Sequence, residues 1–301
     1  MPVTVTVGLD GSPESLAAAE WAAREAKLRG LPVKLVHVLD PIPVPTAQAP
    51  LLGAETLQYW RERVPRESAG GLRLRHPDVE VVEEQTVGRP ADVLTAAAKD
   101  AALLILGSRG LSGFGGYLIG SVGQAVVAHT ATPVVLVRAE KQTADGHATD
   151  PSSAPPTVNS HRPVVLGLDV DQPDDSVIEF AFDEATRHLA PLRVVHAWDA
   201  PPYYPYGFSA EPGLYDRLLR QQSTALHEVL QPWREKFPGV DIVEESPFGP
   251  AATHLVEASR EGSLLVVGRR IRRRTFGAHI GPVTHAVLHH ATVPVAVVAH
   301  T

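Results

Sequence analysis

Gly107-Ser108-Arg109-Gly110, with Gly120-Ser121 following at a spacing of nine intervening residues, is the stretch of this chain best suited to chemistry. An apolar run over 101–106 leads into it and a helix-like segment over 121–129 leads out. The glycines therefore fall where a buried strand is expected to end and a helix to begin. Glycine there lets the backbone adopt left-handed angles and approach a ligand closely. The helix N-terminus beside it offers unpaired N–H groups and the positive end of a dipole. Ser121 is expected to cap that helix and to offer its hydroxyl to a phosphate oxygen. The chemistry this pattern points to is the cradling of a phosphate.

The elements that must position this loop follow from the apolar pattern. Residues 3–9 are β-branched and read as a strand. Ser12-Pro13-Glu14 then supplies an N-cap, a proline for the first helical turn and an early acid, and a helix is predicted to continue over 17–27. Strands over 33–39, 79–84, 103–106 and 133–138 alternate with helices over 54–69, 90–100 and 121–129. The strand over 79–84 alternates weakly and is expected to be more exposed. Such alternation argues for a parallel sheet covered on both faces. In open sheets of this kind, ligands bind beyond the carboxyl ends of the strands, where the strand order reverses. Gly8-Leu9-Asp10-Gly11 and the Gly107 loop both sit at such ends, and form one crevice if their strands are neighbours.

The chain has 301 residues, 44% hydrophobic and 20% charged, with a net charge of −7 and no cysteine. Its length suggests two domains. The acidic balance gives no electrostatic case for binding nucleic acid or an anionic membrane. Without cysteine, disulfides, thiolate catalysis and zinc–thiolate sites are excluded. The opening MPVTVTVGLDGS lacks a signal-peptide pattern, and no apolar run approaches the roughly 18 residues of a membrane span. A cytoplasmic protein is expected.

The sequence is one unit written twice. Gly8-Leu9-Asp10 recurs as Gly167-Leu168-Asp169, and Glu20-Trp21-Ala22 as Glu179-Phe180-Ala181. Val36-His37-Val38 recurs as Val195-His196-Ala197, at the same offset of 159. Further on the offset is 161: Gly107 matches Gly268, Gly120 matches Gly281 and Pro133 matches Pro294. A repeat of this length means duplicated domains, expected at 1–140 and 161–301. Residues 141–160, rich in Pro, Ser and Thr and without apolar periodicity, read as the linker.

The spacing Gly-x2-Gly-x9-Gly-Ser after the fourth strand of a five-stranded α/β unit resembles the universal stress protein family. Gly107, Gly110, Gly120 and Ser121 carry the resemblance, with Gly8-Leu9-Asp10 at the first strand end, His37-Val38 at the second, and Thr132-Pro133-Val134 before the last strand. It covers both halves and is similar to the tandem-domain type. The resemblance implies two tandem flavodoxin-like (Rossmann-like) domains, each with a five-stranded parallel sheet and helices on both faces. It implies ATP binding, with adenine near Val38 and with Gly8, Leu9 and Asp10 close to the nucleotide. The phosphates would be wrapped by the turn of Gly107, Arg109 and Gly110 and by Gly120, Ser121 and Val122. Asp10 suits a ribose hydroxyl or a water of a bound Mg2+; a turn with the residues after it is the plainer role. The family also implies pairing through the last strand, as a homodimer or between the two halves of one chain, and a further protein partner of unknown kind.

The second half departs from the pattern. Ile271 stands where Gly110 stood, and Pro282 where Ser121 stood. Proline starts a helix well but brings no N–H and no hydroxyl. The second half is therefore expected to bind ATP weakly or not at all. No GxxxxGK[ST] lysine motif and no activated nucleophile appear at motif spacing, so binding rather than turnover is expected, with slow hydrolysis at most. The rivals are an adenylyl-transferring enzyme and a nucleotide-free scaffold. DGSPES after the first strand, in place of a SGGxDS loop, counts against the enzyme. Arg269, Arg270, Arg272, Arg273 and Arg274 form a basic cluster, open to phosphate binding but more simply a solvated loop or an ion-pairing surface. His285 and His289 lie one helical turn apart, a spacing that can hold a metal yet is common on surfaces. The aromatic loop with Tyr203, Tyr204, Tyr206 and Phe208 could cover a pocket or pack on its own domain.

Overall fold

The computed structural model describes residues 3–39, 54–108, 120–139, 162–199, 213–271 and 280–301, with the side chains of 54–62 excepted. Arg109, Gly110, Arg272, Arg273, Arg274, the linker and the aromatic loop thus lie outside the described residues.

The first half runs β1 (Thr4–Leu9), α1 (Pro13–Arg29), β2 (Val33–Leu39), α2 (Ala54–Arg75), β3 (Val81–Val87), α3 (Pro90–Ala98), β4 (Ala101–Ser108), α4 (Ser121–His129) and β5 (Val134–Arg138). The second runs β6 (Val164–Gly167), α5 (Asp175–Arg187), β7 (Leu192–Val195), α6 (Leu214–Lys236), β8 (Ile242–Glu245), α7 (Ala251–Ser259), β9 (Leu264–Arg270), α8 (Pro282–His290) and β10 (Val295–His300). All ten strands form one sheet, in the order β3-β2-β1-β4-β5-β10-β9-β6-β7-β8. Each half is parallel and ordered 3-2-1-4-5, the Rossmann arrangement of the two common doubly wound orders. β1 pairs with both β2 and β4, so the order reverses between β1 and β4. The first and fourth strands are neighbours, as the single crevice requires.

Side chains alternate across the sheet. Val5, Val7 and Leu9, with Leu103 and Ile105, pack under α1 and α2. Val36, Leu104 and Leu106 pack under α3 and α4 on the other face. α1 buries an alanine stripe, Ala18, Ala19, Ala22, Ala23 and Ala26, which lets it lie close to the sheet. Ser12 caps it, accepting the Ser15 N–H at 3.2 Å, with Pro13 in the first turn. Gly30 closes it in the left-handed conformation, where a missing Cβ costs nothing. β3 is longer and later than its weak alternation predicts, and lies at one outer edge with Glu83 and Glu84. Charged residues on such an edge discourage further pairing.

β5 and β10 pair antiparallel, with Ala296 opposite Val135. Each half thus covers the other's open edge, one of the two pairings the sequence suggested. Two arginines stitch the seam. Arg138 donates to the Leu288 carbonyl at 2.9 Å, and Arg269 to the Thr130 carbonyl at 2.6 Å. Both carbonyls lie at helix C-termini, where a cation is favoured. Arg269 is buried within β9 rather than exposed on a basic loop. The strand extends further than the apolar run, so the cluster begins inside the sheet.

Helices α1 and α5 meet around a buried ionic cluster that the sequence reading did not single out. Glu25 and Arg29 of α1 correspond to Glu184 and His188 of the second half, all at the 159 offset. Arg29 bonds Glu25 at 2.5 Å and also Glu184. His188 Nε2 lies 3.0 Å from Glu25 and 3.6 Å from Glu184. Burial alone would lower the His188 imidazole, but the hydrogen bonds and charges of Glu184 and Glu25 outweigh it and hold its pKa at about 9. Burial pushes the Glu184 carboxyl up, and the neighbouring Glu25 adds to this. Burial opposes ionisation of Glu25 too, yet His188 and Arg29 prevail and its pKa is lowered. Arg29 and His188 thus supply the cationic partners that buried carboxylates require.

Candidate functional site

At the switch point of the first half lies a cleft of about 290 Å³. Gly8, Leu9, Asp10, Val38, Gly107, Gly120, Ser121 and Val122 all line it. The fold thus gathers every described residue singled out for this site. Ser12, read from the sequence as a helix cap, lines it as well, with Ser15, Pro90, Leu94 and Gly123, which were not singled out for the site. Ser15 follows Ser12 by three residues at a helix start, the one signal that could have placed both on the same rim.

Each glycine here has its own physical reason. A Cβ on Gly107 would lie 2.5 Å from the Glu14 carbonyl carbon and 2.6 Å from the Ser15 nitrogen. Gly107 therefore lets β4 end against the first turn of α1. Gly8 would push a Cβ to 2.7 Å from the Leu106 side chain. Gly120 has nothing within 4 Å of its would-be Cβ among the described residues. Among the described residues of this site a left-handed angle occurs at Gly11, with φ at 82°, while Gly110 lies outside them. Gly107 continues a strand and Gly120 sits at φ −60°, ψ 154°, so neither needs the glycine conformation.

Ser121 does not cap α4. Its own backbone is already helical, and Gly120 occupies the cap position with no side-chain bond. The first intrahelical bond returns from Gln124 N–H to the Gly120 carbonyl at 3.0 Å. The N–H groups of Ser121, Val122 and Gly123 precede it and point along the helix axis toward the cleft end. No side chain caps them, and Ser121 itself is exposed. A helix end built this way is an anion site in waiting.

Asp10 occupies the turn role. Its Oδ1 accepts from the Ser12 N–H at 2.9 Å and from the Ser12 hydroxyl. This fixes the Asp10-Gly11-Ser12 turn and places the carboxylate on the rim. Behind it, buried His37 bonds through Nδ1 to the Leu9 carbonyl at 3.0 Å. A carbonyl only accepts, so Nδ1 carries the proton, and the ring ties the end of β1 to β2.

The second half repeats the frame at larger size. His196 Nδ1 bonds the Leu168 carbonyl at 3.2 Å. Gly281 caps α8 at φ −60°, ψ 156°. The cleft there measures about 550 Å³. Val170 stands where Gly11 stood and does not take a left-handed angle. α5 then begins at Asp175, capped by Asp174, which aligns with Ser15. The helical turn that α1 makes at Pro13 is missing from α5. Ile271 likewise stays out of the left-handed region, its N–H bonding the His300 carbonyl. Pro282 opens α8, and the Thr284 hydroxyl, where the first half has Gly123, donates to the Gly268 carbonyl at 2.8 Å.

His285 and His289 lie with ring centroids 4.4 Å apart on α8. Burial lowers the His285 imidazole, and His289 adds to this. Among the described residues, the one group of three or more metal-type ligands is Glu25, Glu184 and His188, where Arg29 already supplies a cation. No described helix is long and apolar enough to cross a membrane.

The sequence profile described as the Universal stress protein family matches residues 1–138 and again 160–299. The universal stress protein Rv2005c of Mycobacterium tuberculosis is 31% identical over 308 residues, covering 97% of this chain and 96% of its own. A universal stress protein of Archaeoglobus fulgidus has the same fold over 99% of this chain and 98% of its own, with a TM-score of 0.68 at 18% identity. A universal stress protein solved in complex with cAMP matches 46% of this chain and 98% of its own, at 26% identity and a TM-score of 0.35.

Proposed function

We propose, from the premise that the chain belongs to the universal stress protein family, that its first half binds ATP with Mg2+ and acts as a nucleotide-responsive regulator in the cytoplasm. One observation carries this reading. The uncapped first turn of α4 opens onto a cleft at the strand-order switch point, where N–H groups and dipole favour an anion. No described residue comes within 4 Å of a Cβ at Gly120, which suits a phosphate close to the backbone. Ser121 adds a hydroxyl on the same rim. A volume of about 290 Å³ is at the small end of ligand pockets, which run from roughly 300 to 1,000 Å³. It suits a nucleoside held between Val38 and Asp10, with phosphates along the exposed Gly120–Ser121 edge. Mg2+ would supply charge neutralisation to those phosphates, and the Asp10 carboxylate is the rim group suited to one of its waters. Arg109 and Gly110 belong to the same proposal and lie outside the described residues. Pro282 in place of Ser121 removes both an N–H and a hydroxyl, so the second half contributes weak ATP binding or none.

Gly120→Val tests the reading. Its backbone angles suit a β-branched residue and its Cβ meets nothing within 4 Å among the described residues. The variant should melt like the parent yet bind ATP with Mg2+ at least tenfold more weakly by titration calorimetry. Unchanged affinity in this folded variant would contradict it.

A further inference from the structure

We propose that the second cleft is a binding site in its own right, for a nucleoside without phosphates. This rests on the nucleotide reading of the first cleft and extends it. The frame that would hold a base and ribose is present twice: the same strand ends, the same histidine-to-carbonyl bond, the same cap angles. At about 550 Å³ the second cleft lies well inside the range of small-molecule pockets.

Its anion end has been rebuilt with the opposite sign. Ser12 and Ser15 of the first half align with Asp171 and Asp174, and both aspartates line the second cleft together with Asp169 and Asp199. Asp174 resists protonation: burial works against its charge, but the Ser176 hydrogen bonds and His300 outweigh this and lower its pKa. Arg269 and Arg270 line the cleft too, bonded to the Thr130 carbonyl and to Gln172, so the four aspartates exceed the two described arginines by two charges. At the start of α8, Pro282 has no N–H to offer, and the Thr284 hydroxyl is engaged by Gly268. Like charge placed where phosphates would lie repels a nucleotide. The same carboxylates are good acceptors for ribose hydroxyls. Trp198 adds a fixed aromatic wall where the first half has Leu39, its Nε1–H held by the Ser246 carbonyl at 3.1 Å and its ring edge-on to Phe248 at 5.0 Å.

The experiment is equilibrium dialysis of the full chain, saturated with ATP and Mg2+, against labelled adenosine. The expected result is one adenosine bound per chain beside one ATP, with adenosine binding about tenfold weaker in Asp171→Asn and ATP unaffected. Adenosine that binds only by displacing ATP would overturn the proposal, as would two ATP per chain or no adenosine at all. Adenosine binding at one per chain with no ATP bound would leave the second site standing and overturn the reading of the first.

Discussion

Gly120 and Gly281 have the same φ of −60° and ψ values of 154° and 156°, yet the helices they precede begin with Ser121 and Pro282. Backbone frame and ligand chemistry have separated after the duplication. The frame is retained because it is set by packing: strand ends, alanine stripe, histidine clasps. The polar rim is where the halves differ: Ser12 and Ser15 of the first align with Asp171 and Asp174 of the second. The ionic cluster teaches the same lesson in the core. Glu25 and Glu184 are equivalents, yet one has Arg29 a turn away and the other His188, so the second half carries a base that loses its proton only as pH passes about 9.

The largest expected effect comes from breaking that pairing. Glu25, held ionised by His188 and Arg29, should cost about 3 kcal/mol when changed to Gln, because two cations lose a partner in a buried setting. Glu184, whose carboxyl is raised, should cost less as Glu184→Gln. Chemical denaturation measures both, and equal costs would remove the asymmetry between the halves. Next comes Gly107→Ala. With backbone atoms of Glu14 and Ser15 inside 3 Å of the new Cβ, the loss should be about 2 kcal/mol from overpacking, against no loss for Gly281→Ala, where no described residue lies within 4 Å. Smaller again, Ser121→Ala should weaken ATP binding by about 1 kcal/mol, one hydrogen bond, and leave the melting temperature unchanged.

A further effect concerns pH. The His188 pKa is raised from 6.5 to about 9 in the folded chain. Its stabilising contribution is therefore complete below pH 6.5 and is lost as pH rises through 9. His188→Arg should flatten the fall in melting temperature across that window. A variant that tracks the parent there would show that His188 is not the titrating group.

Much of this was legible in the residues. α4 begins and ends where the apolar period and the preceding glycine put it. The crevice between the first and fourth strands follows from alternation and the strand-end rule. What escaped depends on contacts far apart in sequence. Gly107 lines the cleft as expected, but its packing role shows only when Glu14 is seen against it. Arg269 looks like a loop residue until the other half's Thr130 carbonyl is in reach. Glu25 and Glu184 are unremarkable helix acids in isolation; the 159 offset aligns them, but only the pairing of β5 with β10 brings their helices together. Ser121 misled for a local reason, since serine is a favoured cap and the glycine before it took the role.

The most direct test of the division between the halves is to count nucleotide in the purified protein. The chain would be denatured after incubation with ATP and Mg2+ and removal of excess, and the released nucleotide quantified by chromatography and mass spectrometry. The account predicts one ATP per chain, lost in Gly120→Val. Two per chain would contradict the separation of the clefts, and none would contradict the assignment of the first.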